Sequence, residues 1–314
     1  MYSLLLSTLN LIIIIISRLI AIAFYTLIER KFLGYIQSRK GPNKPRVAGT
    51  IVPLRDAGKL LLKQEKPSIT SNLNLYTLGP AGIIILSLLL WPIFPHIHQT
   101  MFIKFSIVYF ICVTRISIYA TFIAGWASNS RWGALGALRG VAQTISYEVR
   151  LSLIIICFIL HQLKIDILSI FRDQYISTII LTAPLMLIWL ASITAETHRA
   201  PLDFIEGESE LVSGFNIEYR RSLFALIFMS EYINILLIRL ITIRITIKRL
   251  SNTELILKAT ILSFIFIWRR GSLPRLRYDS LINILWKKFL PFSLLWLVII
   301  MTLVNMYWYW TNPK

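Results

Sequence analysis

The dominant feature of the sequence is a series of long apolar runs separated by short polar segments. About 20 consecutive apolar residues cross a bilayer as an α-helix, whose backbone groups are then satisfied internally. Of the 314 residues, 56% are hydrophobic, and the mean hydropathy is +0.68. We predict about eight spans, at residues 3–28, 75–95, 102–126, a run that continues to about 160, 176–195, 222–243, 255–268 and 289–310. The sequence therefore predicts an all-α polytopic membrane protein with a single integral membrane domain over residues 1–314.

The polar segments predict amphipathic surface helices and long polar loops on one side of the membrane. Segment 29–66 is strongly basic, and its Gly-Pro and Pro residues prevent a helix from continuing through 41–45. Residues 50–64 are too short and too charged to span, and are typical of an amphipathic helix on the surface or against a partner. A second polar loop covers 269–279, followed by a short amphipathic piece at 280–288. The net charge of +18 indicates basic loops that face the cytoplasm or matrix, or anionic lipid.

One stretch, residues 196–219, is acidic in a chain that is otherwise basic. It holds six of the 15 carboxylates, and Arg199 is its one fixed positive charge. The stretch lies between two apolar spans, so it begins at or near the edge of the membrane. Carboxylates in a low-dielectric setting have raised pKa values and exchange protons near neutral pH. This pattern predicts a loop that couples chemistry at the membrane surface to proton movement, with a solvated linker as the alternative.

Two further carboxylates, Glu148 and Glu231, lie inside predicted spans. An ionisable residue within a span is costly and by default indicates a functional site. The alternative for Glu148 is a structural ion pair with a neighbouring helix. Small residues at 133, 134, 136, 137 and 140 precede it and allow helices to approach closely.

Several common functional patterns are missing from the sequence. There is no Gly-rich dinucleotide fingerprint, P-loop or zinc pattern, so nucleotide or flavin chemistry must take place elsewhere. His96 and His98 lack further metal-ligand residues nearby, and the two cysteines lie in apolar runs as predicted buried free thiols. The N-terminus has no transit-peptide composition, which predicts insertion without processing. The positive charge is scattered over loops and helices, which excludes nucleic-acid binding.

Four blocks of the sequence resemble one family closely. They are Leu27-Ile-Glu-Arg-Lys with Arg39-Lys-Gly-Pro-Asn-Lys44, Ala142-Gln-Thr-Ile-Ser-Tyr-Glu-Val149, Arg199-Ala-Pro-Leu-Asp203 with Glu206-Gly-Glu-Ser-Glu-Leu-Val-Ser-Gly-Phe-Asn-Ile-Glu-Tyr219, and Pro274-Arg-Leu-Arg-Tyr-Asp279. The chain resembles the chain 1 family of mitochondrial NADH:ubiquinone oxidoreductase, the membrane subunits of respiratory complex I that hold the quinone tunnel. The resemblance covers nearly the whole chain, and its Glu-Gly-Glu-Ser-Glu block is specific.

The resemblance implies eight transmembrane helices in the mitochondrial inner membrane and a role in proton-pumping NADH:ubiquinone reduction. It implies contacts with membrane lipid and with other complex I subunits: the terminal iron–sulfur cluster subunit, its hydrophilic neighbour and the antiporter-like membrane subunits. Ubiquinone is the implied substrate, whereas NADH, FMN and the iron–sulfur clusters belong to partner subunits. This chain is expected to hold no redox centre, no metal and no catalytic residue of its own.

The resemblance also assigns residues to two pathways. The implied quinone tunnel includes Arg30, Arg39, Asp56, Phe215, Arg275 and Arg277. The implied proton path includes Glu29, Tyr147, Glu148, Glu196, Asp203, Glu206, Glu208, Glu210 and Glu231. A quinone tail needs an apolar tunnel and its head needs a few polar groups, while a row of desolvated carboxylates responds to charge changes as a coupled set.

Some positions depart from the family pattern. The family usually has Asn where this chain has His198, and Phe where it has Leu202. Arginines also stand where Ser or another small residue is expected, most clearly at 55, 115, 150, 220 and 221. An arginine in the middle of a membrane costs about 2.5–3.5 kcal/mol on insertion scales. We hypothesise that some are serines, since invertebrate mitochondria read certain arginine codons as serine; the alternative is pairing with acids, such as Arg150 with Glu148.

Two other function classes remain open at the level of sequence. One is a related membrane subunit of a hydrogenase or another ion-translocating complex, which hydrogenase activity would reveal. The other is a stand-alone ion transporter, which would be expected to show paired inverted repeats with broken helices, and the sequence has no such internal symmetry.

Overall fold

The computed structural model describes most of the chain. It covers residues 2–45, 47–64, 70–93, 103–162, 165–166, 182–204, 207, 214–246 and 252–311. Glu206, Glu208 and Glu210 of the predicted proton path lie outside these ranges, as do His96 and His98. Within the ranges, every regular element is a helix and none is a strand.

Ten α-helices and three shorter helical turns are described. They are α1 Tyr2–Ile36, α2 Val52–Leu62, α3 Leu73–Leu89, a 3₁₀ turn Trp91–Ile93, α4 Ser106–Ala127, α5 Arg131–Gln162, α6 Ala183–Glu196, a 3₁₀ turn Gly214–Asn216, α7 Arg221–Thr246, α8 Asn252–Ser272, α9 Tyr278–Ile284, a π-helical turn Leu285–Phe289 and α10 Leu290–Thr311.

Six helical segments in the described ranges are long and apolar enough to cross a membrane. They are Thr8–Ile36, Leu73–Ile93, Ser106–Ala127, Arg131–Gln162, Arg221–Ile245 and Tyr278–Met306. Helix α6 is apolar but shorter, and its predicted span begins in residues outside the described ranges. Helix α8 covers the predicted span 255–268 but carries charges at both ends. The all-α polytopic fold predicted from the sequence is confirmed.

The first helix is longer than the sequence prediction. The span was predicted to end at residue 28, but α1 continues to Ile36 and carries Glu29 and Arg30 on its last turns. The helix ends where Ser38 adopts a left-handed backbone (φ 57°), just before Gly41 and Pro42. The predicted end was too early because Glu29 is buried against other helices, and charge alone therefore did not mark the membrane boundary.

The C-terminal segment also differs from the prediction. Residues 280–288 were predicted as a separate amphipathic piece before the last span. Instead α9 and α10 form one continuous rod joined by the π-helical turn Leu285–Phe289. At this turn the Trp286 Nε1–H donates to Ser146 Oγ on α5 over 3.3 Å. A π-turn of this kind inserts one residue without breaking the helix, which hydropathy cannot reveal.

Helix α5 is the centre of the packing. It contacts α4, α6, α10 and the Gly214–Asn216 turn, while α7 packs on α3, α8, α2 and α1. Small residues allow the closest approaches. A Cβ at Gly125 would meet the Cβ of Ala137, one of the predicted small residues, and one at Gly79 would meet the backbone of Ala124. The largest buried apolar cluster lies among α4, α5, α6 and α7, with Ile154, Phe158, Trp189 and Ile233 nearly inaccessible.

Candidate functional site

The candidate site is built around the turn that follows α6. The backbone leaves the helix at Thr197 and enters the left-handed region at His198 (φ 49°), so the chain turns sharply into the acidic stretch. Gln143 of α5, which has no solvent exposure, holds this turn in place. Its Nε2 amide donates to the carbonyls of Ala195 and Leu202, both over 2.9 Å. Residues 196–199 are therefore fixed against α5, with Thr197 buried and the other three partly buried.

A polar cavity of about 60 Å³ lies on one side of this turn, among α3, α4, α5, α6 and α7. It is lined by Tyr147, Glu196, Thr197, His198, Phe215 and Glu231, together with hydroxyl-bearing and aliphatic side chains. Three residues of the predicted proton path, Tyr147, Glu196 and Glu231, thus meet at one cavity. Phe215, which was predicted for the quinone tunnel, lines the same space.

Several polar atoms around this cavity are buried without a hydrogen-bond partner among the described residues. They are Glu196 Oε2, His198 Nδ1 and Asn234 Oδ1. Buried polar atoms are normally hydrogen-bonded, and atoms left over usually bind internal water or change protonation. The cavity therefore has the chemistry of a hydrated, proton-exchanging space.

His198 is held in the neutral form. Burial and, to a smaller extent, the adjacent Arg199 guanidinium together lower the pKa of its imidazole to about 4. A neutral imidazole has one nitrogen that donates a hydrogen bond and one that accepts. His198 therefore contributes hydrogen bonding rather than charge at neutral pH.

A second cluster surrounds Glu29 of α1 on the other side of the turn. The Tyr232 hydroxyl of α7 donates to Glu29 Oε2 over 2.6 Å, and the Arg270 guanidinium of α8 bonds Glu29 Oε1. Arg199 Nη1 lies 3.9 Å from the same Oε1. Glu29 is 5% exposed, so three elements converge on one buried carboxylate.

The surroundings of Glu29 are cationic and aromatic. The Arg199 guanidinium lies 4.4 Å from the Tyr232 ring centroid, and that of Arg239 lies 4.2 Å from the Tyr25 ring centroid. Arg239 is 2% exposed and interacts electrostatically with Glu29. Among the described residues of this cluster, positive charge therefore exceeds negative charge, and aromatic faces offset some of the desolvation cost.

The two regions share one residue. A smaller cavity of about 20 Å³ is lined by Tyr25, Glu29, Arg199 and Arg270, and Thr197 lines both this cavity and the larger one. Thr197 is 3% exposed. The turn at 196–199 is therefore a common wall, with Glu196 and His198 on one side and Arg199 on the other.

Glu148 directly follows the cavity-lining Tyr147 on α5 and forms an ion pair with Arg115 of α4. Arg115 Nε lies 4.0 Å from Glu148 Oε2, which agrees with the structural ion-pair alternative. Arg150 is not paired with Glu148, contrary to the alternative raised from the sequence. It is fully buried, and its Nε donates to the Ser146 carbonyl over 3.2 Å. Its guanidinium lies 5.8 Å from the Phe289 ring centroid, while Nη1 and Nη2 have no hydrogen-bond partner among the described residues.

Asp203 and Arg275 come together at the start of the acidic stretch. The Arg275 Nη2 donates to the Asp203 carbonyl, and the guanidinium lies where a Cβ at Gly207 would stand. The Leu276 amide also donates to the Pro201 carbonyl over 3.1 Å. These bonds join the 199–207 segment to the 273–277 loop, two regions that the sequence separated by about 70 residues.

The end of the acidic stretch is anchored by stacked tyrosines. The Tyr76 and Tyr219 rings stack with centroids 4.5 Å apart, and their hydroxyls donate to the carbonyls of Glu218 and Ala124. Burial raises the pKa of the Tyr219 phenol, so the hydroxyl remains a donor. A Cβ at Gly136 would lie 2.7 Å from the Phe215 amide nitrogen, so α5 supports the turn that carries Phe215.

The remaining predicted tunnel residues are not drawn into this site. Arg30 Nη1 pairs with Asp56 Oδ2 over 3.0 Å between α1 and α2, and both side chains are partly exposed. Arg39 bonds Gln37, and Arg277 pairs with Asp279, in each case at the surface. Across the ranges that the structure covers, no three His, Cys, Asp or Glu side chains are grouped to hold a metal ion.

The residues of the two clusters that were not assigned a role from the sequence include Asn234, Tyr232, Arg239 and Arg270. Tyr232 directly follows Glu231 and could have been found by treating the Glu-Tyr pair as a unit. Arg270 was placed in the polar loop 269–279, but it lies in the last turn of α8. Arg239 has no local signal other than its position in a span.

Comparison with known proteins agrees with this architecture. A family model described as NADH dehydrogenase matches residues 9–301. The chain is 46% identical over 283 residues to the NADH-ubiquinone oxidoreductase chain 1 of Anopheles gambiae, covering 90% of each chain. It is 45% identical over 296 residues to the protein of the same name from Locusta migratoria, covering 94% of each. For the same protein of Nycticebus coucang the identity is 40% over 294 residues. The chain therefore belongs to the NADH dehydrogenase family.

Proposed function

We propose that this chain is a core membrane subunit of the proton-pumping NADH:ubiquinone oxidoreductase, respiratory complex I, in the mitochondrial inner membrane. In this proposal it forms the ubiquinone-binding tunnel and the acidic path that couples quinone reduction to proton translocation. The observation that carries the proposal is the pair of polar clusters on the two sides of the turn at 196–199. The chain supplies no redox centre; NADH, FMN and the iron–sulfur clusters are held by partner subunits.

The Glu29 cluster is suited to respond to chemistry at the quinone. Quinone reduction takes up protons and changes the local charge, and buried charges feel such changes strongly because screening is weak. Glu29 contacts Arg199, and Arg199 directly follows the cavity residue His198. A change in the charge balance around Glu29 would therefore act on the turn that carries Glu196.

The larger cavity is suited to hold and pass protons. Glu196 and Glu231 both line it, with Tyr147 and hydroxyl groups between the helices. Carboxylates in such surroundings titrate as a coupled set, so a charge change near Arg199 alters the protonation of the whole set. The path would continue outside this chain through antiporter-like membrane subunits, and the electrons would arrive from the terminal iron–sulfur subunit and its hydrophilic neighbour.

The proposal is tested on gently solubilised source membranes resolved on a native gel. We expect the chain to comigrate with NADH-oxidising, quinone-reducing activity that a quinone-site inhibitor blocks. In reconstituted vesicles, Glu196→Gln should reduce proton pumping by more than it reduces NADH oxidation by a soluble electron acceptor. A chain that runs in a small assembly without redox activity would contradict the proposal and favour a stand-alone transporter.

A further inference from the structure

Among the four ionisable side chains that line the larger cavity, His198 is the one that the acidic path does not use. It lies in the larger cavity beside Glu196, and its Nδ1 is buried without a hydrogen-bond partner in the described ranges. Its backbone is in the left-handed region, which only a minority of non-glycine residues adopt. The surrounding turn is held by Gln143, so its backbone cannot shift away from α5 without breaking two buried hydrogen bonds.

Three buried polar atoms from three places surround this one space. Glu196 Oε2 comes from the end of α6, His198 Nδ1 from the turn and Asn234 Oδ1 from α7. A volume of about 60 Å³ accommodates more than one internal water, each of which needs two to four polar partners. The hydroxyls of Ser230 and Thr144, which also line the cavity, can supply additional bonds, although both already donate to helix carbonyls.

We propose that His198 is a positioning residue that holds an internal water between Glu196 and Asn234, and so connects Glu196 through water to Glu231. This inference rests on the proposed function and names a residue that the acidic path needs besides its carboxylates. The imidazole accepts or donates one hydrogen bond to the water and does not itself carry charge at neutral pH. Losing it would leave the two carboxyl groups in the same cavity without an ordered link.

The ionisable groups that face His198 support a neutral role. They are Tyr147 from α5, Glu196 from α6, Glu231 from α7 and the adjacent Arg199. The lining side chains from α3 and α4 are aliphatic or carry hydroxyls and do not ionise. Arg199 opposes a second positive charge on the turn, and burial acts in the same direction. His198 therefore contributes no titration of its own between about pH 6 and 8.

The test compares three variants in the assembled complex in vesicles: His198→Leu, His198→Asn and the control His161→Leu. His161 also has a buried Nδ1 without a partner in the described ranges, but it lines neither cavity. We expect His198→Leu to slow coupled quinone reduction by about tenfold, the usual effect of one lost hydrogen bond, and to leave NADH oxidation by a soluble acceptor unchanged. His198→Asn, which keeps an acceptor oxygen, should retain most of the rate, and His161→Leu should behave as the parent.

Equal rates for His198→Leu and the parent would overturn the inference, as would equal losses for His198→Leu and His198→Asn. An experimental map of the parent complex that shows ordered water gives a second, independent decision if the leucine variant fails to assemble. Density that links Glu196 Oε2 to His198 Nδ1 is expected, and a dry cavity in such a map would refute the proposal.

The same series separates this inference from the proposed function. If Glu196→Gln and Glu231→Gln both leave pumping intact, the acidic path itself is wrong. If they abolish pumping while His198→Leu does not, only the role of His198 is wrong.

Discussion

At the scale of single residues, the cluster around Glu29 depends on one carboxylate. Glu29→Gln would leave Arg199 and Arg270 facing each other without an anion. Breaking a buried ion pair on one side costs about 3–5 kcal/mol. We expect a marked fall in the thermal midpoint of the complex, and a smaller combined loss for the double variant Glu29→Gln/Arg270→Gln than the sum of the single losses.

A matched control for Glu29 is Asp56, the other carboxylate that pairs with an arginine near the end of α1. Its partner Arg30 is 55% exposed, and exposed pairs contribute about 0–1 kcal/mol. Asp56→Asn should therefore change the thermal midpoint much less. Equal losses for the two substitutions would show that the burial of Glu29 has no energetic consequence.

His198 gives a prediction about pH. Its folded-state pKa is about 4, and the unfolded value is about 6.5, so the unfolded chain binds more protons between these values. The contribution of the neutral imidazole to the free energy of unfolding is therefore fully present above about pH 6.5, and it decreases as the pH falls towards 4. His198→Asn should lessen the fall in thermal midpoint between about pH 7 and 5. An unchanged fall would contradict the burial of this imidazole.

The identity of several arginines can be tested by peptide mass spectrometry. Arg150 is buried in a span and its two terminal nitrogens have no hydrogen-bond partner in the described ranges, which strengthens the hypothesis that serine stands there. We expect peptides with serine at 150, 220 and 221 and no tryptic cleavage there. Arg199 and Arg270, which contact Glu29, serve as positions that should remain arginine. Peptides with arginine at 150 would make the hypothesis wrong at that position.

At the scale of elements, α5 packs on the Gly214–Asn216 turn so closely that Gly136 has no room for a side chain. Gly136→Ala would place a Cβ 2.7 Å from the Phe215 amide nitrogen, where the backbone cannot yield easily. Overpacking of this kind costs about 1–3 kcal/mol. We expect less assembled complex on a native gel and slower coupled turnover, because Phe215 and the cavity wall must shift.

A second glycine gives the control for this substitution. Gly58 lies in α2, and a Cβ there would meet no atom within 4 Å. Gly58→Ala should be neutral or raise stability, because alanine favours the helix by about 0.8–1 kcal/mol. A Gly136→Ala variant that assembles as well as Gly58→Ala would show that the turn adapts freely.

The elements show what the sequence could and could not predict. Hydropathy located the helices of the described spans, and the mixed charge of residues 50–64 located α2. It could not predict the extension of α1 to Ile36 or the π-helical turn before α10, because both depend on contacts with other helices. The grouping of Tyr147, Glu196 and Glu231 in one path came from the family resemblance and not from hydropathy. The pairing of Glu29 with Arg270 joins positions 241 residues apart, which no local pattern encodes.

At the scale of the whole molecule, the two terminal spans have few internal contacts. Only 18% of the first span and 11% of the last are buried within the chain, against 61% of the span in α7. Their apolar faces must therefore be covered by lipid or by other subunits. We expect the chain to be degraded faster when assembly of partner subunits is blocked, as measured by pulse-chase labelling of the chain in its source cells.

The control for that measurement is a polytopic membrane subunit of an unrelated complex in the same cells, whose lifetime should not change. A chain that remained equally long-lived without partners would show that lipid alone covers these faces. The number of helices does not decide between the two outcomes, since both are compatible with a polytopic protein.

The common wall at residues 196–199 shortens the distance over which the two cavities can influence each other. Coupling between remote sites in a protein often involves the shift or rotation of a whole helix or domain. Here Arg199 lines the smaller cavity, Glu196 and His198 line the larger one, and Thr197 lines both. A shift of this turn by no more than the length of one peptide unit would change the lining of both cavities at once. Within this chain, coupling between the Glu29 cluster and the Glu196 cavity therefore requires only a local shift of the turn. Larger movements would be needed only at the contacts with neighbouring subunits.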